Sequence, residues 1–477
     1  MCLRRPFLIF LLATILADYS YGESLRASSV IDTPSQPLTL SKVLKSVKVH
    51  HPTIQQELKK RQEAEAQQLS ANGAYDPVIR SKSFSYLNGF YSGSSTESIA
   101  EVPVDLAYGS LFARYRKGSG TLPVYEDEFQ TLDGGEVGVG VKFSLLRNLL
   151  DDERKLGIDL ARYERELAEL SIDVSRVALQ QAATERYWTW IAQGQILKIY
   201  RKLLEVAETR QAQLVARVEA GDLAAFEALD NQRSILQRRS RVVKQEALVK
   251  ELALGLSLYF RGSAGTPIVP SLEELPSNVP KIAEPQKSLE RYLLEAYQQR
   301  PDLKRIETEV RMIQREERFE SSRLLPDLEL STSYSRDDGS GSLSREGDEV
   351  KFYVSVEVPL FQRKTKGKLR KLENATHRKL IGKRYLQEKI RTDLSVYLTQ
   401  LQQAYDRYLV SVAELETTKE LEDGESERFK SGDSNLLFLA MRELAAAEAR
   451  VHVIEANAEN LLYYHLLEIS TGSNQHY

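Results

Sequence analysis

The sequence predicts an α+β chain built twice over, in which very long coiled-coil helices alternate with a few amphipathic strands. Three observations lead there. The chain carries an internal two-fold repeat, its longest helices show a 3.5-residue apolar period, and its strands alternate strictly between apolar and polar residues.

The repeat comes first because it orders everything else. Residues 40–77 align without a gap on 289–326: Leu40 with Leu289, Leu44 with Leu293, Pro52 with Pro301, Ile54 with Leu303, Ala64 with Ile313 and Pro77 with Pro326. Val141-Lys-Phe-Ser-Leu145 then resembles Val356-Glu-Val-Pro-Leu360, and Arg217-Val-Glu-Ala-Gly-Asp222 resembles Arg428-Phe-Lys-Ser-Gly-Asp433. The period is far too long for a solenoid and reads as duplication within one architecture. Each half opens with a charged helical stretch (38–74 and 287–322) and continues into a strand region (77–146 and 326–361). A very long helix, a Gly-Asp break and a returning helix follow. The first repeat then covers 23–260 and the second 287–477, with 261–286 as a linker in which Pro267, Pro270, Pro276, Pro280 and Pro285 forbid regular helix.

The long helices need neighbours. Leu156, Leu160, Tyr163, Leu167, Leu170, Val174 and Val177 step by alternating fours and threes, the spacing of a knobs-into-holes seam; Leu394, Tyr397, Leu401, Ala404 and Tyr408 do the same. A helix over 150–219 would be roughly 105 Å long, which no compact domain accommodates. A second stripe, through Ile158, Ala161, Ala168, Ile172 and Leu179, calls for neighbours on two sides. A closed ring of helices and a multi-helix bundle both supply them.

The strands carry the environmental signal. Val137, Val139, Val141, Phe143 and Leu145 alternate with small or polar residues; so do Leu328, Leu330, Thr332 and Tyr334, and Phe352, Val354, Val356 and Val358. That pattern suits a half-buried soluble sheet, and equally a barrel with lipid outside and water inside. Four strands, two per half, cannot close a membrane barrel alone, since single-chain barrels begin at about eight. Several copies would have to share one, and a trimer would pool twelve. The longer first region contains a further strand-like run at 106–116, placed either in the barrel or outside it, and Gly118-Ser-Gly-Thr121 reads as a turn.

The start of the chain indicates export. Arg4 and Arg5 precede an apolar run over 7–17, and Ser20, Gly22 and Ser24 supply small residues for cleavage, so 1–22 reads as a signal peptide. The run is too short to cross a hydrocarbon core that needs about 20 residues. Cys2 is the only cysteine, which leaves no disulfide framework or thiolate site. A net charge of -3 gives no basic field for nucleic acid. Enzymatic signals are poor. His50 and His51 are adjacent rather than spaced as a metal pair, His377, His452, His465 and His476 are scattered, and no phosphate-binding or metalloprotease motif occurs. Neither a catalytic site, a cofactor nor a metal is expected. Trp188 and Trp190 lie on nearly opposite helix faces, as packing between layers requires.

Taken in order, these features resemble the TolC-like outer-membrane efflux proteins over nearly the whole mature length. The resemblance rests on the Leu-x(11)-Pro openings (Leu40 to Pro52, Leu289 to Pro301), on Pro77 and Pro326 entering strands, and on Val356-Glu-Val-Pro-Leu-Phe361 leaving one. The helix breaks over 221–233 and 432–444 complete it. The resemblance implies a homotrimer with a twelve-stranded barrel in outer-membrane lipid, continued by a helical tube through the periplasm. It implies a passive exit duct of a tripartite efflux or type I secretion system, docked on a periplasmic adaptor and an inner-membrane pump. Gly221, Asp222, Gly432 and Asp433 would then mark the docking tips, each glycine ending one helix and each aspartate capping the next. A gate at the tube mouth would involve Glu227, Phe429, Ser434 and Phe438. Glu227 holds the family's acidic position, Phe438 replaces its counterpart, Phe429 sits where the aromatic belongs, and Ser434 stands where an arginine would be. The alternative reading is a periplasmic coiled-coil scaffold or adaptor that never enters the membrane.

Overall fold

The computed structural model describes residues 37–105, 109–123, 129–147, 151–284, 287–341 and 347–472. The signal segment lies outside the described residues. Among the described residues eight α-helices and six strands follow in chain order: α1 (Leu40–His50), α2 (Pro52–Asn72), β1 (Val78–Ser85), β2 (Ser92–Pro103), β3 (Ser110–Thr121), β4 (Gly135–Ser144), α3 (Glu153–Glu219), α4 (Ala225–Ser257), α5 (Leu289–Gln299), α6 (Pro301–Ser322), β5 (Asp327–Asp338), β6 (Gly347–Glu357), α7 (Arg363–Lys430) and α8 (Leu436–Ser470).

The Leu-x(11)-Pro openings now have a physical meaning. Each spells an 11-residue helix that must stop before a proline, which then starts the next helix at a position where its missing N–H costs nothing. Pro52 and Pro301 both occupy that place in α2 and α6. Long helices α3 and α7 run 67 and 68 residues, about 100 Å each at 1.5 Å per residue.

These helices form one layer rather than a globule. Near the sheet, α3 lies between α2 and α6, and α6 leads on to α7. Farther down, α3 packs on α4 and α8, and α8 on α7. Ion pairs stitch the seams: Arg315 to Asp151 and Asp159, Lys379 to Glu309, and Arg450 to Glu422. Of the predicted stripes on α3, Ala161 and Ile172 are buried, whereas 156–177 is half-buried at most of its seam positions. On α7, Leu394, Leu401 and Ala404 are fully buried.

The largest core sits at mid-height, where α1 packs across α3. Trp190, Ile191, Val43, Val47 and Leu256 are fully buried there, and Trp188 joins them. Both tryptophans belong to this one core, with Trp188 also against Tyr187 and His465. Tyr187 donates to the Leu38 carbonyl at 2.9 Å, and burial pushes its phenol up to about 12. The proline-rich linker wraps this level without forming α-helix. Leu275 seats against Gly194, Gln195 donates to the Pro276 carbonyl at 2.5 Å, and Asn457 to that of Pro280 at 3.1 Å.

The expectation of four strands is corrected to six. All belong to one antiparallel sheet in the order β1-β2-β3-β4-β5-β6. The strand-like run at 106–116 contributes β3 from Ser110 onward; 106–108 lie outside the described residues. Gly118-Ser-Gly-Thr121 is the end of that strand and not a turn, paired with Ser92 to Ser95 of β2. Glycine there serves close approach: a side chain on Gly118 would strike the Phe129 carbonyl at 2.0 Å.

Candidate functional site

Two places carry chemistry that packing alone does not explain: the sheet, and the ends of the long helices opposite it.

The sheet is inside out. Residues directly paired across an antiparallel ladder point to the same side. On one side the pairing aligns Val350, Tyr334, Val139, Ala113, Ala100 and Ile79 in a single row over all six strands. The next row aligns Phe352, Thr332, Val141, Leu111 and Val102. This apolar side faces outward: Ile79 is 80% exposed, Val350 74% and Phe352 69%. The opposite side holds most of the charges, some of them buried, while Lys117, Arg336 and Asp348 bound the apolar rows at one end. Arg116 and Glu136 are 8% and 4% exposed and pair at 2.5 Å; Arg114 reaches Glu136 at 3.2 Å and Glu97 at 3.8 Å. Arg80 pairs with Glu101 at 2.6 Å and Lys142 with Glu329 at 2.8 Å.

The described part of the β3–β4 connection folds over that polar side. Phe129 packs edge-on against Phe84 at 4.8 Å, Leu122 and Leu132 are buried, and the Leu132 N–H donates to the Asp337 carboxylate at 2.9–3.0 Å. The sequence contains no local cue for this fold-back, because Asp337 is 205 residues from Leu132.

At the far end, both Gly-Asp breaks are true helix stops. Gly221 and Gly432 have φ of +82° and +84°. The N–H groups of Asp222 and Asp433 bond to the carbonyls of Arg217 and Arg428, each at 2.9 Å, while those of Gly221 and Gly432 bond to Val218 and Phe429. This double bond pattern is the Schellman closure, and it needs the left-handed conformation that glycine adopts without strain.

The expectation for the aspartates is corrected. Neither caps the next helix, because each lies too far ahead of it. Ala224 occupies the N-cap position of α4 without a side-chain bond, and Asn435 caps α8 by accepting from the Phe438 N–H at 3.1 Å.

The four gate candidates fall around these tips. Glu227 is half-buried in the first turn of α4, beside Phe226, which is exposed. Phe438 is exposed on α8, and Phe429 is half-buried at the end of α7. Ser434 is engaged within its own tip, donating to the buried carboxylate of Glu425, which also meets Arg428 at 3.5 Å. Sequence reading missed Glu425, whose partner lies across the turn. It also missed a buried cluster just above the tips, where Glu443 of α8 accepts from Arg210 of α3 and from Arg238 of α4 (3.0 Å). Arg238 also donates to the Leu203 carbonyl at 2.8 Å, so one carboxylate ties three helices. Among the described residues no group of acidic, histidine or cysteine side chains could hold a metal, and no helix is long and apolar enough to cross a membrane.

No protein-family model matches the sequence, and no curated protein matches it. Solved structures do. A structure of CusC, whose conformational changes accompany transmembrane channel formation, is 14% identical, covers 94% of this chain and 96% of its own, and superposes with a TM-score of 0.64. The open state of the Neisseria gonorrhoeae MtrE outer-membrane channel is 13% identical over 97% and 98%, with a TM-score of 0.64. The Campylobacter jejuni CmeC outer-membrane channel is 12% identical over 97% and 93%, with a TM-score of 0.62. At this identity the agreement concerns fold, and it runs nearly end to end: the chain has the fold of the TolC-like outer-membrane channels.

Proposed function

We propose that this chain is one subunit of a trimeric outer-membrane exit duct, a passive conduit without catalytic residues or cofactor. The observation that carries this reading is the inverted sheet. A row of valines, leucines and aromatics turned outward, with arginine–glutamate pairs turned inward, is unfavourable for a sheet in water. It is the arrangement a barrel in lipid requires, since lipid solvates no charge and leaves no backbone group satisfied at an open edge. The sheet is open at β1 and β6, so it needs other copies to close. The near-matched helix lengths of the two halves fit a duplicated repeat, and the α2/α4 and α7 borders of the layer are where neighbouring copies would join a periplasmic helical tube. The alternative, a periplasmic coiled-coil scaffold or adaptor, has no use for such a sheet.

In this reading the tips at Gly221 and Gly432 face a periplasmic adaptor and an inner-membrane pump, and Glu227, Phe429, Ser434 and Phe438 surround the mouth. With the Ser434 hydroxyl already donating to Glu425, a lock through position 434 has no free donor, and Glu227 with the exposed Phe226 and Phe438 is left to line the opening. Mass measurement of the detergent-solubilised protein should give a trimer, and bilayer recordings a conducting channel. A stable monomer that still conducts would overturn the assembly. Glu227→Gln should weaken cation selectivity if three carboxylates converge on the axis; identical reversal potentials in a salt gradient would move the gate elsewhere.

A further inference from the structure

The first half of the chain supplies four strands and the second half two, and the additional hairpin β2–β3 is bonded into the middle of the sheet. We propose that this hairpin crosses the bilayer with the other strands, so that three copies close a barrel of eighteen strands rather than twelve. The proposal rests on the trimeric-barrel reading above and goes beyond it, because it sets the width of the outer exit.

Three observations support it. The first is the ladder itself. β2 pairs with β3 over its whole length and with β1 from Ser94 to Glu101, and β4 is held by β3 on one side and β5 on the other. A twelve-stranded ring would require β4 to exchange β3 for β1, breaking two complete ladders.

The second is the belt. Ala100 and Val102 of β2, and Leu111 and Ala113 of β3, fall in the same rows as Val139 and Val141 of β4 and Val350 and Phe352 of β6. A hairpin standing in water beyond the barrel would have no reason to continue that register. Both strands are 12 residues long, enough for a membrane strand that needs about 9–11.

The third is the charge on the inner side. Glu136 of β4 is nearly inaccessible and is neutralised by Arg114 and Arg116, both on β3. If β3 left the wall, that carboxylate would face the lumen without either arginine. The pairing continues across the hairpin from Arg114 to Glu97 of β2, and from Glu101 of β2 to Arg80 of β1.

The consequence is geometric. Barrel diameter grows roughly in proportion to strand number, so eighteen strands give an exit about one and a half times as wide as twelve. The cross-section roughly doubles.

Single cysteines test this, in a background where Cys2→Ser removes the only native one. Ala100→Cys and Ala113→Cys report on the hairpin belt, Val139→Cys and Val354→Cys on strands β4 and β6, and Ile99→Cys and Ser331→Cys on the inner side. Each is labelled with a small fluorophore and reconstituted with brominated lipid. Quenching at Ala100 and Ala113 should match that at Val139 and Val354, and should be lost at Ile99 and Ser331. Quenching at Val139 and Val354 alone would place the hairpin outside the wall and overturn the proposal while leaving the membrane reading intact. No quenching at any position would overturn both. Electron cryo-microscopy of the unsubstituted protein in lipid nanodiscs gives an independent count: eighteen strands around the ring supports the proposal, and twelve refutes it.

Discussion

The sheet and the helical layer follow opposite burial rules within one chain. In the layer, Trp190, Ile191, Leu256 and Leu401 are buried, while pairs such as Arg201–Glu246 and Arg239–Glu208 lie at the surface. In the sheet the valines are outside and Arg116 and Glu136 are covered. Burying apolar surface is favourable only relative to water. A side chain exposed to hydrocarbon loses nothing, whereas an exposed charge there is expensive. In the proposed function the difference reports two solvents, with the boundary between them where strands become helices.

The helical layer departs from its own rule where charges are buried, and the largest effect is expected at the cluster of Arg210, Glu443 and Arg238. Glu443→Ala leaves two arginines buried without their shared carboxylate, and loss of one partner from such a site costs about 3–5 kcal/mol. Denaturant melts of the solubilised protein should show that loss in helical signal. A change below about 1 kcal/mol would mean that water reaches the cluster.

The sheet supplies the next contrast. Val139 is already 53% exposed in the isolated chain, so in water Val139→Arg would cost almost nothing. In lipid it should cost about 2–4 kcal/mol if near the mid-plane. Ser331→Arg, on the inner side opposite Lys142, should cost less than about 1 kcal/mol. Equal, small effects of both on refolding into vesicles would erase the distinction between the two regions.

How legible these regions were in the sequence differs in the same way. The outer bounds of the opening helical stretches were readable to within about two residues, but each was read as a single stretch, and its division into two helices at Pro52 and Pro301 was not. β4, β5 and β6 were readable because valine and aromatic residues alternate with small or polar ones. β2 was not, since Ser92, Ser94, Ser95 and Ser98 stand on both of its sides and only Ala100 and Val102 mark its outer one. The end of β3 was masked by glycines that look like a turn but serve the packing of Leu122 and Phe129. At the tips, glycine announced the stop, but the capping residue was misread as the aspartate beside it. Glu425 and Glu443 were invisible because their partners are brought by the fold.

That misread cap sharpens the comparison between the two tips. Asn435→Ala removes the bond to the Phe438 N–H and should destabilise α8 by about 1 kcal/mol. Asp433→Ala should have little effect on stability. Hydrogen exchange at the first turn of α8 distinguishes the two variants, and equal protection in both would restore the aspartate as cap.

The smallest effect is a pH dependence confined to the helices. His465 is half-buried against Trp188 at 5.6 Å, and desolvation lowers its pKa below the ordinary 6.5. The unfolded chain then takes up a proton that the folded one resists, so this contribution is intact above 6.5 and is lost as pH falls below it. His465→Gln should flatten the acid limb of a stability-against-pH curve; an unchanged slope would assign the limb to other groups.

The central claim is that lipid is the solvent of the outward sheet face, and cell fractionation tests it most directly. The full chain, expressed in a bacterium with two membranes, should sediment with the outer membrane, resist extraction by salt and alkali, and enter solution only with detergent. Recovery of folded protein in the soluble periplasmic fraction, without detergent, would contradict it.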